Sequence, residues 1–96
     1  MYARVSTFRI NTEKFDEYQA QVEKFKPEIM ALPGIKYWFS AANEDGSCAS
    51  IAVYENEEAA AASSIGAGAI FGQFAEFMES EPQPQGYQLI LHGVNP

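Results

Sequence analysis

This chain predicts an α+β domain on the split βαβ plan, and three observations carry that reading. Residues Tyr2 to Ile10 are rich in β-branched and aromatic types, a helical stripe follows from Phe15 to Leu32, and an Asp45-Gly46 turn joins two further strand-like runs. A second helical stretch and a last strand-like run complete the order β-α-β-β-α-β. That order is the ferredoxin-like plan, a four-stranded antiparallel sheet with helices on one side. With 96 residues and 47% apolar content, the chain can fill one core, so a single domain over 1–96 is expected.

In the first helical stretch, Asn11 or Thr12 is placed to cap and Glu13 falls in the opening turn. Phe15, Tyr18, Val22, Phe25, Ile29 and Leu32 then recur on one face. Pro27 removes an amide that would bond to the Glu23 carbonyl, which predicts a kink, and Leu32-Pro33-Gly34 stops the helix. Ile35 to Ala42 reads as the second strand, residues 43–46 as a turn, and Cys48 to Tyr54 as the third strand. Asn56 can cap a helix that runs through the alanines to Ala62.

Gly66 and Gly68 are expected to break that helix, and the spacing of Ile70, Phe71, Phe74, Phe77 and Met78 predicts another from Ala69. The glycine-rich run 66–72 does not fit a phosphate loop, because a helix rather than a strand precedes it and its last spacing is four. It reads as a flexible joint. The stretch Glu81-Pro82-Gln83-Pro84-Gln85-Gly86 reads as a connector, and Tyr87 to Val94 as the closing strand.

Strand alternation puts Ile35, Tyr37 and Phe39 on one face of the second strand, and Lys36, Trp38 and Ser40 on the other. Both crossovers of this topology fall on one side of the sheet. The uncovered face, assigned to Trp38, Tyr54 and Ile90, should therefore meet a second copy, which makes a homodimer through the sheet face.

The formal charge is −7, and the six cations all precede Tyr37. Nucleic acid and anionic membranes are thereby disfavoured as partners. A lone cysteine, Cys48, excludes an internal disulfide, and no run of apolar residues is long enough to span a bilayer; a cytoplasmic protein is expected.

Leu32-Pro33-Gly34-Ile35, the Asp45-Gly46 hairpin, the step Ser50-Ile51-Ala52-Val53-Tyr54-Glu55-Asn56-Glu57-Glu58-Ala59 and the close Gly86-Tyr87-Gln88-Leu89-Ile90-Leu91 together resemble the antibiotic biosynthesis monooxygenase-like group of dimeric α+β barrels. The resemblance covers nearly the whole chain. It implies a sheet-faced dimer with a pocket between sheet and later helices in each protomer. It also implies, in some relatives, oxygenation of an ionised phenolic substrate without a cofactor, so that a small aromatic or polyketide-like ligand is expected and no cofactor. The haem-degrading branch uses an asparagine on the first strand, with a tryptophan and a histidine in the helical part, which this sequence does not reproduce.

Within that frame His92, the lone histidine, and Arg4, a cation able to face an oxyanion, are the catalytic candidates. Arg4 can instead pair with one of thirteen acids. Tyr37, Trp38, Tyr54, Phe71 and Phe74 are the candidate substrate-binding aromatics, although such residues are more often ordinary core or interface, and Asn43 suits a turn better than a site. One histidine and one cysteine at unrelated positions offer no metal site. The alternatives are a non-catalytic, ligand-binding or stress-associated barrel, and an isomerase or lactone-processing enzyme on the same scaffold.

Overall fold

The computed structural model describes all 96 residues. Its strands are β1 (Tyr2–Arg9), β2 (Ile35–Ala42), β3 (Ser47–Tyr54) and β4 (Gln83–Gln88), with helices α1 (Phe15–Met30), α2 (Glu57–Ala62) and α3 (Ser64–Gly72). The sheet order is β2-β3-β1-β4 and every neighbouring pair is antiparallel. This is the ferredoxin-like arrangement expected from the element order.

Local chemistry accounts for the boundaries. The Asn11 side chain accepts from the Glu13 amide at 3.0 Å and caps a 3-10 turn, Thr12–Lys14, that leads into α1. α1 continues through Pro27 and ends at Met30, after which Gly34 takes φ +69°, a conformation that costs glycine nothing. In the hairpin the Gly46 amide donates to the Asn43 carbonyl at 3.0 Å, and Gly46 adopts φ +93°. Asn56 caps α2 by accepting from the Ala59 amide at 2.8 Å.

Four expectations need correction. Gly66 and Gly68 do not break a helix: both lie inside α3, and the break falls at Ser63. There the buried Ser63 hydroxyl donates to the Pro33 carbonyl at 2.9 Å and anchors the junction. The helix expected from Ala69 to Met78 ends instead at Gly72, and Ala75–Phe77 forms a separate 3-10 turn.

The closing strand is Gln83–Gln88, not Tyr87 to Val94. Its register sets Thr7 opposite Gln83 and Tyr2 opposite Gln88, and beyond that pair only Met1 remains, whose carbonyl accepts from the Leu89 amide at 3.0 Å. The strand lies at the sheet edge, where Pro84 is tolerated because one side of the strand needs no ladder bonds. Gly86 fits because a Cβ at that position would collide with the Tyr2 ring.

The two sheet faces are also reversed from the expectation. Trp38 pairs with Ala52, and Tyr54 lies on the same side, facing α1 and α3; neither is on the open face. The open face carries Tyr37, Phe39, Val5, Ile51 and Tyr87. A register shift between Ile35 and Tyr37 moves Ile35 to the covered side, opposite Tyr54. Ile90 belongs to no strand and is 92% exposed.

The core sits at one end of the covered face. Phe8, Ile10, Tyr18, Cys48, Phe74 and Phe77 form a buried cluster, with Tyr18 and Phe74 edge to face at 5.8 Å between centroids. The other end of that face is not filled.

Candidate functional site

At that unfilled end the inward residues of the central strands are small or polar. Ser6 and Arg4 on β1 stand beside Ser50 and Ala52 on β3, with Trp38 and Ser40 next along on β2. Across from them stand Tyr18 and Val22 of α1 and Ile70 and Phe71 of α3, which leave a gap over these small residues. The result is an inner chamber of about 60 Å³.

A cleft of about 630 Å³ adjoins it, walled by α3 and by residues 79–84. Arg4, Ser6, Ala67, Phe71 and Met78 line both spaces and form the partition between them. On the α3 side the cleft wall includes Gly68 and Gly72, beside which a Cβ would meet no atom within 4 Å. The absence of side chains there keeps the cleft wide. Glu79 and Glu81 lie on the opposite wall.

Arg4 is the chemical centre of the partition. One terminal nitrogen donates to the Ala60 carbonyl at 2.8 Å and to the Ser64 hydroxyl at 3.2 Å, which fastens the guanidinium to the last turn of α2. Its central carbon lies 5.6 Å from the centroid of the Tyr54 ring. No carboxylate pairs with it; the one ion pair of the protein joins Lys36 to Glu55 at 3.6 Å. The ion pair that the acidic composition invites is therefore not made, and a half-buried cation with donors to spare is left facing the cleft.

The remaining polar groups of the chamber are neutral. The Trp38 indole donates to the Ser50 hydroxyl at 3.2 Å. Burial pushes the Tyr54 hydroxyl above its ordinary value, against the opposing pull of Arg4 and of Ser63. Burial likewise raises Tyr18, although Ser40 draws it back, with Cys48 adding a smaller upward push. Both tyrosines stay protonated at neutral pH and serve as donors, not bases. No aspartate, glutamate, histidine or lysine lines the inner chamber. Proton acceptors reach the site only from the cleft wall, at Glu79 and Glu81.

Among the residues singled out from the sequence, the fold gathers Arg4, Trp38, Tyr54, Phe71 and Phe74 around one chamber. Tyr37 and His92 are elsewhere. Tyr37 is on the open face, and the His92 ring lies 6.5 Å from it in the tail that follows β4. The sheet separates both from the chamber, so neither can touch a molecule held there. Asn43 serves the turn, donating to the Ser47 hydroxyl at 3.0 Å.

Sequence reasoning missed Ser6, Ser40, Ser50, Met78 and Glu79. The serines carry a signal, three small hydroxyl residues on strands at the parity of Arg4 and Trp38, but alternation alone does not say that this parity faces the helices. Met78 and Glu79 fall in or beside the helix that the spacing predicts, whereas α3 ends at Gly72.

No family model matches the sequence, and no curated protein matches it. Solved structures do share its fold. A candidate antibiotic biosynthesis monooxygenase from Bordetella bronchiseptica superposes with TM-score 0.78 at 13% identity, over 94% of this chain and 97% of the other. Another from Nitrosomonas europaea gives 0.78 at 16% identity, over 95% and 100%. SnoaB, a cofactor-independent oxygenase from Streptomyces nogalater, gives 0.74 at 12% identity, over 95% and 94%. The expected fold group is confirmed at the level of architecture.

Proposed function

We propose that this ferredoxin-like protein is a cofactor-independent monooxygenase for a small aromatic or polyketide-like molecule bearing an acidic phenol or enol. The observation that carries the reading is Arg4, a cation without a carboxylate partner in the wall of a cleft that Ser6, Ser64, Phe71 and Met78 also line. Such a group stabilises charge that develops on a substrate oxygen. The likeness of fold to SnoaB agrees with it.

The reaction follows from what the walls supply. A substrate with a CH2 between activated rings loses one proton to Glu79, Glu81 or water at the cleft wall, and its enolate oxygen rests on Arg4. The enolate passes one electron to dioxygen, the resulting radical pair combines to a peroxide, and loss of water leaves a carbonyl. The balance is CH2 plus O2 giving C=O plus H2O, with no external reductant. Phe71 and Met78, which line the cleft beside Arg4, orient the ring and exclude water.

The test is oxygen uptake with 1,8-dihydroxy-9-anthrone in the absence of any added metal or cofactor. Catalysed uptake by the wild type is expected, and Arg4→Gln should lower kcat/KM roughly a hundredfold, as loss of one preorganised charge-stabilising donor does. Failure of the wild type to exceed the uncatalysed rate with this and related acidic phenols would sink the proposal. One feature favours binding without turnover, namely that no base lines the chamber; tight anthrone binding with no uptake would decide for it.

We also propose that two copies pair through the open sheet face. Tyr37, Phe39 and Tyr87 are about half exposed on it, and Ile90, Leu91 and Val94 of the tail are largely exposed. A face of that kind on a small acidic domain is a self-association surface. No helix is long and apolar enough to cross a membrane, so the exposed residues are not part of a spanning helix.

A further inference from the structure

The site has two compartments of different size, and one organic substrate accounts for only the larger. The cleft of about 630 Å³ falls within the range of small-molecule sites, roughly 300–1,000 Å³. The inner chamber, at about 60 Å³, does not. An engineered cavity of about 150 Å³ takes benzene, whereas one water needs at least about 10–15 Å³. A ring is therefore excluded from the chamber, and a molecule of two or three heavy atoms is admitted.

The chamber walls favour an apolar occupant. Thirteen of the seventeen residues that line it are hydrophobic, among them Phe8, Trp38, Ala52, Ile70, Phe71 and Phe74. The strongest donors are already committed, the Trp38 indole to Ser50 and an Arg4 nitrogen to Ala60. Water held in such a space needs two to four polar partners; a nonpolar diatomic needs none. Position completes the argument, because Arg4, Ser6, Ala67, Phe71 and Met78 form the wall shared by chamber and cleft. A diatomic in the chamber lies directly behind a ring whose oxygen rests on Arg4.

We propose that the inner chamber is a binding site for dioxygen, separate from the cleft that takes the organic substrate. The assignment rests on the oxygenase reading, for which it supplies the location of the second substrate.

Xenon, an apolar probe of dioxygen size, tests the chamber independently of turnover. Crystals of the wild-type protein under xenon pressure should show the gas in contact with Phe8, Ala52 and Phe71, and Ala52→Ile should abolish it. A chamber that stays empty of xenon, or one holding ordered waters that xenon does not displace, overturns the proposal. The wild-type crystals decide this even if the variant fails to fold. In oxygen-uptake assays Ala52→Ile should raise the KM for dioxygen about tenfold, and that for 1,8-dihydroxy-9-anthrone less than twofold. An equal rise in both KM values places dioxygen in the cleft and overturns the separate site. Xenon bound in a wild-type protein that consumes no oxygen supports the chamber and defeats the oxygenase reading, so the two failures are distinguishable.

Discussion

The two faces of the sheet carry similar numbers of aromatic side chains and do opposite things with them. On the covered face Phe8 and Tyr54 are almost fully buried, and α1 and α3 close over them; on the open face Tyr37, Phe39 and Tyr87 remain about half exposed. The difference lies in what stands between the rings. Arg4, Ser6, Ser40 and Ser50 interrupt the covered face at the strand centres, so the helices pack at one end and leave a chamber at the other. A sheet face becomes a site where its inward residues are too small or too polar to finish the core.

Substituting matched aromatics on the two faces gives the largest expected contrast. Phe74 stacks on the covered side against Tyr18 and Phe25 and is 4% exposed. Phe74→Ala should cost about 3–5 kcal/mol of unfolding free energy, as large buried rings do when truncated. Phe39→Ala, on a residue 55% exposed, should cost under about 1 kcal/mol in the dissociated protein. Urea denaturation at low protein concentration measures both. Equal losses would mean that the open face is as well packed as the covered one.

The open face has its own test, smaller in stability and larger in assembly. Phe39→Glu places a charge in the proposed contact between copies and leaves α1 to α3 untouched. Light scattering of the wild type should give twice the protomer mass and of the variant the protomer mass, with the same far-UV spectrum. A monomeric wild type, or a variant that still pairs, would assign Tyr37, Phe39 and Tyr87 to some contact other than self-association.

Much of this arrangement is legible in the sequence alone. The α1 stripe, the Asn11 and Asn56 caps, Gly34 and the 43–46 turn are local signals, and each acts through residues a few positions apart. Face assignment failed because it is not local. Trp38 and Tyr37 are both large and aromatic, so alternation defines two sets without saying which one meets the helices. Only packing of Tyr18, Val22 and Ile70 against one set decides it. The edge strand failed for a related reason. Proline argues against a central strand, but β4 borders solvent, and its register follows from where β1 begins. The α3 glycines failed because propensity is a weak term, about 1 kcal/mol each, and continuity from the buried Ser63 overrides it.

The smallest expected effect separates the filled end of the covered face from its chamber through pH. Burial raises the Tyr18 hydroxyl above its usual 10.0, so the folded protein favours the neutral phenol more strongly than the unfolded chain does. The sign follows directly. Below pH 10 both states hold the proton and stability is unaffected; above it the unfolded chain ionises first, and stability falls as pH rises through the raised folded value. Tyr54 acts in the same direction, with its shift opposed by Arg4. The buried Cys48 thiol, raised from 9.0 chiefly by burial, adds a third contribution of the same sign; Tyr18→Phe removes one of the three without emptying the cluster, since the ring remains between Phe8 and Phe77. The decline of Tm between pH 9 and 11 should therefore be shallower in Tyr18→Phe than in the wild type. Parallel pH profiles for Tyr18→Phe and wild type would mean that water reaches the Tyr18 hydroxyl through the chamber, and that the boundary between packed core and site lies one layer deeper, at Phe74.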